Sequence, residues 1–256
     1  MTATKLSVNL NKIALIRNSR EGNFPDLIAH GRTCLEAGAD GLTVHPRPDQ
    51  RHIRASDIPA LAQLLQEWPD AEFNIEGNPF AEALGSYPGF MELVAAQPPH
   101  QCTLVPDSND QLTSDHGFDL AKDGKRLQPV IEKLKSLDIR VSLFMDPDLA
   151  QIERASDIGA DRIELYTGPY ALAHGRSDTA LDGMLQSYAA AADRARELGL
   201  GVNAGHDLNL DNLGDFLRQV RAQEVSIGHA LTVDALAMGL TTAVSAYRRI
   251  CQTSAA

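Results

Sequence analysis

His45, Glu76 and His206 are among the side chains that could move protons at neutral pH, and each follows a short apolar run. An imidazole both takes and gives a proton near pH 7. A carboxyl group at the edge of a partly dry cavity has its pKa raised toward the range of a general base. The alternative for Glu76 is an ordinary ion pair with a nearby arginine. Asn9, Asn11, Glu164 and His229 occupy comparable places at or near the ends of other runs. Isolated histidines are usually surface or core residues, but three at separate strand ends would converge if the strands shared one mouth.

The elements that would bring them together repeat along the chain. Apolar runs occur at 6–10, 41–45, 72–75, 101–105, 140–146, 162–167, 201–205 and 224–228, and most end on a polar or ionisable residue. Helical spacing follows at 25–37, 56–68, 148–158, 182–198 and 232–250. EAGADG (36–41), DIGADR (157–162) and ELGLGV (197–202) are one joint used three times, a glycine stop just before a strand. Alternating strands and helices imply parallel pairing with right-handed crossovers. The expected fold is a single α/β domain over residues 1–256, a (β/α)8 TIM barrel with its active site at the C-terminal strand ends. An open doubly wound sheet also alternates these elements. It is disfavoured because polar residues mark nearly every strand end and no Gly-x-Gly-x-x-Gly follows the first strand. Segments 107–117 and 168–182 are polar and without helical period, as expected of lids over a barrel mouth.

Composition narrows the function. The 256 residues are 43% hydrophobic and 22% charged, with a formal charge of −11. Such acidity argues against broad binding to nucleic acid or membrane surfaces, which draw on basic patches. No run approaches the roughly 20 apolar residues needed to span a bilayer. Residues 1–6 carry no secretory signal pattern. Cys34, Cys102 and Cys251 are too scattered for a metal or disulfide framework, which suits a reducing, cytoplasmic setting.

Positive charge gathers in two places. Arg17 and Arg20 follow the first strand, and Arg47, Arg51, His52 and Arg54 follow the second. A cationic pocket in an acidic protein focuses small anions. Gly205–His206–Asp207 and Gly228–His229–Ala230 follow strands seven and eight, where barrels often bind phosphate through backbone N–H groups. Two such areas suggest two phosphates, although Asp207 would repel an anion placed too close. Schiff-base chemistry needs a barrel lysine; none occurs after Lys135, leaving only Lys12. His45, Glu76, His206 and His229 are suitable zinc ligands by type, but no closely spaced histidine pair supports a metal.

The motifs SVNLNKIALIRNSR (7–20), AGADGLTVHPRPDQRHI (37–53), FNIEG (73–77), VSLFMD (141–146), IELYTG (163–168), VNAGHDL (202–208) and SIGHA (226–230) resemble the pyridoxine 5′-phosphate synthase family from about residue 6 to 248. The resemblance implies a ring-closing condensing synthase, a transferase without metal or organic cofactor, assembled as a homo-octamer. Its substrates would be 1-deoxy-D-xylulose 5-phosphate and 3-amino-2-oxopropyl phosphate, and its products pyridoxine 5′-phosphate, inorganic phosphate and water. By matching position, His45 and Glu76 would be proton acceptors and His206 the proton donor. Asn9 and Arg20 would hold the amino-ketone phosphate. Arg47, His52 and Thr113 would hold the deoxyxylulose phosphate, with Asn11 and Lys12 beside it. Asp207, Gly228 and His229 would contact the amino-ketone phosphate or product, and Glu164 would assist proton transfer. Some members of that family have Asp-His at Asn11-Lys12, His at Tyr166 and Gly at Asp207. These departures touch substrate contacts more than the acid–base set.

Overall fold

The computed structural model describes residues 3–176 and 180–254. Eight strands, β1 (Lys5–Asn9), β2 (Gly41–Val44), β3 (Glu72–Gly77), β4 (Gln101–Leu104), β5 (Arg140–Met145), β6 (Arg162–Tyr166), β7 (Gly201–Gly205) and β8 (Glu224–Ile227), close in sequential order into a barrel. Every pairing is parallel, and β1 closes on β8 with Leu6 opposite Val225. The expected barrel is therefore the observed one, and all C-terminal strand ends share one mouth.

The helices outside it are α1 (Asn11–Asn18), α2 (Leu27–Glu36), α3 (Asp57–Leu65), α4 (Phe90–Ala96), α5 (Leu120–Lys135), α6 (Leu149–Asp157), α7 (Gly168–Gly175), α8 (Leu181–Glu197), α9 (Leu213–Val220), α10 (His229–Met238) and α11 (Leu240–Thr253). The side chains of Asp26 and Asp148 accept the first free N–H groups of α2 and α6. At the three repeated joints, Gly38, Gly159 and Gly199 hold φ of +100°, +86° and +81°, a region closed to most side chains. The glycine stops read from sequence are thus left-handed exits that turn the chain back into a strand.

Strand alternation divides the residues sharply. Leu6, Val8, Leu42, Val44, Phe73, Ile75, Cys102, Leu104, Val141, Leu143, Ile163 and Leu165 belong to the apolar core between sheet and helices. The alternate positions are polar and bond across the lumen. Gln101 on β4 donates to Glu224 on β8 at 3.2 Å, and Asn203 on β7 donates to Gln101 at 3.3 Å. Higher up, Thr103 on β4 donates to Glu164 on β6 at 3.4 Å. Those strands are not neighbours, so the bonds can only cross the interior. A barrel interior is commonly filled by branched aliphatic side chains. Here it is a hydrogen-bonded polar column, closed at the bottom by Arg140, Arg162, Glu72 and Glu224.

Two expectations change. Segment 168–182 is not one polar loop: α7 occupies 168–175, α8 begins at Leu181, and 177–179 lie outside the described residues. Pro169 starts α7, and buried Tyr170 packs against Tyr188 and Phe216 while donating to the Asn212 carbonyl at 2.8 Å. Tertiary packing of one ring, rather than periodicity, makes that helix. The helix expected over 232–250 is two helices, α10 and α11, because Gly239 turns at φ +84°. Among the described residues no helix is long and apolar enough to cross a membrane.

Candidate active site

The mouth of the barrel encloses a cavity of about 340 Å³. Its walls include Asn9, Asn11, Lys12, His45, Arg47, His52, Glu76, Thr113, Glu164, His206, Asp207, Gly228 and His229. Every site residue expected from the sequence lies there except Arg20, which is exposed just beyond α1 and is not part of the cavity wall.

Glu76 rises from β3 into the cavity floor. Asn9 donates to one carboxylate oxygen at 3.3 Å and Ser226 to the other at 3.4 Å. His45 lies 4.0 Å away through Nδ1. No arginine pairs with Glu76; the nearby Arg47 takes Asp107 instead. Burial is the main force on this carboxyl and pushes its pKa up to about 8, with the charges of Asp107 and Glu224 adding to the rise. Glu164, beneath it on β6, is raised well above the carboxylate range by burial and then by Glu76 itself. Two buried carboxyl groups that oppose each other's charge will hold protons near neutrality.

His45 stands one residue beyond β2, its backbone N–H donating to Asn11 Oδ1 at 2.9 Å. Asn9 Oδ1 in turn accepts from the Asn11 N–H at 3.0 Å. Asn11 therefore sets where the His45 backbone sits. Burial, then Arg47, His52 and Arg51, lower the His45 pKa well below the usual imidazole value. A neutral imidazole beside a proton-holding carboxyl group can accept a proton. His52, next to it, is likewise lowered, to about 3, by burial and then by Arg47.

The cationic cluster after β2 is built differently from a bare anion hole. The buried Arg47 guanidinium is ion-paired with buried Asp107, whose other neighbour, Ser114, donates to it at 2.7 Å. Arg51 donates to the backbone carbonyls of Asn109 and Gln111, both at 2.9 Å, and is flanked by Asp49. Segment 107–117, irregular as expected, is thus strapped across the mouth from the β2 side. It brings Leu112, Thr113 and Ser114 into the cavity wall.

His206 follows β7 with φ +92°, a costly backbone for a non-glycine residue, about 1–3 kcal/mol. Its Nδ1 lies 2.7 Å from Asp207 Oδ2 and its Nε2 lies 2.9 Å from Thr113 Oγ1. The Tyr166 ring meets the imidazole edge-on at 5.2 Å. The bond from His206 is the leading cause that lowers the Asp207 pKa. Asp207, expected to touch substrate, spends one oxygen on the imidazole instead, so its charge is partly spoken for. Just beyond β8, Gly228 is the N-cap of α10 without a side-chain cap, and it lines the cavity with His229, an arrangement suited to phosphate.

Asp107, Ser114, Ser226 and Phe144 were not singled out by sequence. Ser226 and Phe144 sit at inward positions, each the last residue but one of its strand, so the period of two marks them. Asp107 carries no such mark, because its role depends on a partner 60 residues away.

The comparisons agree over nearly the whole chain. Residues 6–253 match the family model described as "Pyridoxal phosphate biosynthesis protein PdxJ". The pyridoxine 5′-phosphate synthase of Xanthomonas axonopodis pv. citri (strain 306) is 58% identical over 247 residues, 95% of each chain. That of Albidiferax ferrireducens is 52% identical over 96% of each chain. Among solved structures, a native KDPGal structure (TM-score 0.61, 15% identity, 98% of each chain) shares the fold alone. So does N-(5′-phosphoribosyl)anthranilate isomerase from Pyrococcus furiosus (TM-score 0.57, 13% identity, 98% of this chain and 99% of that one). With a whole-length family match and relatives above half identity, this barrel enzyme belongs to the PdxJ family.

Proposed function

We propose that the chain condenses 1-deoxy-D-xylulose 5-phosphate with 3-amino-2-oxopropyl phosphate into pyridoxine 5′-phosphate, releasing inorganic phosphate and water. The observation that carries this reading is the convergence of His45, Glu76 and His206 on one cavity that also gathers Arg47, His52, Lys12 and the N-terminus of α10. One phosphate is assigned to Arg47, His52 and Thr113 and the other to the α10 N-terminus with Gly228, His229 and Lys12, all in the wall of that cavity. Holding both phosphates would set the amine against the ketone, converting a bimolecular encounter into a local one.

The proton inventory fits the sequence of steps. Attack of the amine on the ketone needs a base, and neutral His45 serves. Loss of water from the carbinolamine needs an acid, and His206 serves. Later steps remove a carbon-bound proton, expel the deoxyxylulose phosphate, add water, close the ring and aromatise it. Glu76, with a pKa near 8, can both take and return a proton across them, and Glu164 gives it a second carboxyl to share with. Segment 107–117 would exclude bulk water while the imine survives.

Assembly of several copies follows from the same reading. Leu15 and Ile16 on α1 and Val233 and Leu236 on α10 are exposed, and these two helices touch. Such a face is suited to burial against another copy, and Arg20 at its edge would then serve a neighbouring cavity. A homo-octamer in the cytoplasm, each subunit a single barrel domain, is consistent with this face and with three buried, unpaired cysteines.

The test is to mix purified protein with the two phosphorylated substrates and follow product by mass spectrometry. Equal release of pyridoxine 5′-phosphate and inorganic phosphate is expected. Binding of either substrate without product would favour a phosphate-ligand sensor instead.

A further inference from the structure

The reading above makes His206 a proton donor but leaves open which nitrogen acts and what fixes it. The two ring nitrogens have different partners. Nδ1 faces the carboxylate of Asp207 at 2.7 Å, and Nε2 faces the Thr113 hydroxyl at 2.9 Å on the cavity side. A carboxylate only accepts, so Nδ1 must carry a hydrogen in both the neutral and the charged ring. A hydroxyl donates or accepts, so Nε2 can be bare or protonated without losing its partner. Tyr166 packs edge-on against the ring at 5.2 Å. The bond from His206 is the main influence that holds Asp207 below the ordinary carboxylate range, and Lys12 on α1 adds to it.

We propose that Asp207 is a positioning residue: it pins hydrogen on Nδ1 of His206 and so commits Nε2 to every proton exchange with substrate. This builds on the function proposed above and assigns Asp207 to the imidazole rather than to a phosphate. It also accounts for a carboxylate tolerated beside an anion site, since the imidazole and not the anion receives it. The second partner of a ring nitrogen sets the tautomer in general. Where an aspartate orienting a catalytic histidine is replaced by asparagine, turnover falls by as much as about 10⁴-fold because the wrong nitrogen carries the proton.

The experiment labels histidine rings with ¹⁵N in the substrate-free protein and reads the His206 nitrogens, assigned by their loss in His206→Gln. Wild type is expected to show a protonated Nδ1 and a bare Nε2 in the neutral form. Asp207→Asn, nearly isosteric, and Asp207→Gly should each move hydrogen toward Nε2, and Asp207→Glu should restore part of the wild-type pattern. With the two substrates, kcat should fall at least about tenfold in Asp207→Asn, with each KM within about threefold of wild type. An unchanged tautomer in both variants would overturn the proposal, as would a raised KM with kcat intact, the mark of a direct substrate contact. If wild-type protein made no product, the proposed reaction would fail while the ring spectra still decided the role of Asp207.

Discussion

His45 and Glu76 are buried side by side, and burial acts on them with opposite sign. It disfavours the cation of one and the anion of the other, so both are driven toward neutrality. A raised folded-state carboxyl pKa means the folded protein binds more protons than the unfolded chain between the ordinary value and about pH 8. Stability contributed by protonated Glu76 is therefore full below the ordinary carboxyl range and lost as pH rises to about 8, at up to about 1.4 kcal/mol per pH unit. Glu76→Gln, which cannot ionise, should raise the thermal midpoint relative to wild type at pH 8–9 and not at pH 4. Calorimetry across that range checks it; an equal offset at both ends would mean that the substitution acts through packing alone. His52 has the opposite slope. Its pKa is lowered to about 3, so the unfolded chain binds the extra proton and stability is lost as pH falls below about 6.5. His52→Gln should flatten the acid limb of a denaturation series between pH 6.5 and 4. Much of this residue scale was legible beforehand. His45, Glu76 and His206 line one cavity at the strand ends, where their places in the sequence put them. The ion pair of Arg47 with Asp107 was not legible, since nothing local in HPRPD marks that arginine as already neutralised.

At the level of elements, strand and joint were readable because each depends on neighbours in sequence. A period of two and a glycine stop need no knowledge of the rest of the chain. Helix α7 and the break at Gly239 were missed for the opposite reason. The first is held by Tyr170 against rings 18 and 46 residues away, and the second is a lone glycine in a segment with no proline to mark a stop. Segment 107–117 is held by Arg51 through two carbonyls and by Asp107 through Arg47. Arg51→Ala should release its middle while leaving the Asp107 anchor. Limited proteolysis at 108–113 should then speed up several-fold, and KM should rise more than the thermal midpoint falls. Unchanged cleavage would show that Arg51 does not hold the strap. Asp107→Ala should be more damaging, costing about 3–5 kcal/mol, because it strands a buried guanidinium.

Across the whole molecule, the polar interior column explains how a barrel with an apolar jacket keeps titratable groups reactive at its top. Separate hydrogen-bonded groups fill the interior: Gln101 with Glu224 at the base, Thr103 with Glu164, and Glu76 with Asn9 and Ser226 at the cavity. The cost of burying those groups is offset only if their partners are kept. That column was not anticipated, although every residue in it alternates with an apolar one in the sequence. The apolar face of α1 and α10 makes a further prediction at this scale. Leu236→Glu should shift the protein to smaller assemblies in light scattering coupled to gel filtration, and activity should fall with it if Arg20 serves a neighbour; wild-type mass in the variant would place the interface elsewhere. The most direct test of the account is the turnover of His45→Ala, Glu76→Gln and His206→Ala with both phosphorylated substrates, each variant first shown to fold. Losses of about 10²-fold or more in all three are expected of a shared acid–base set, and near-wild-type turnover in all three would contradict it.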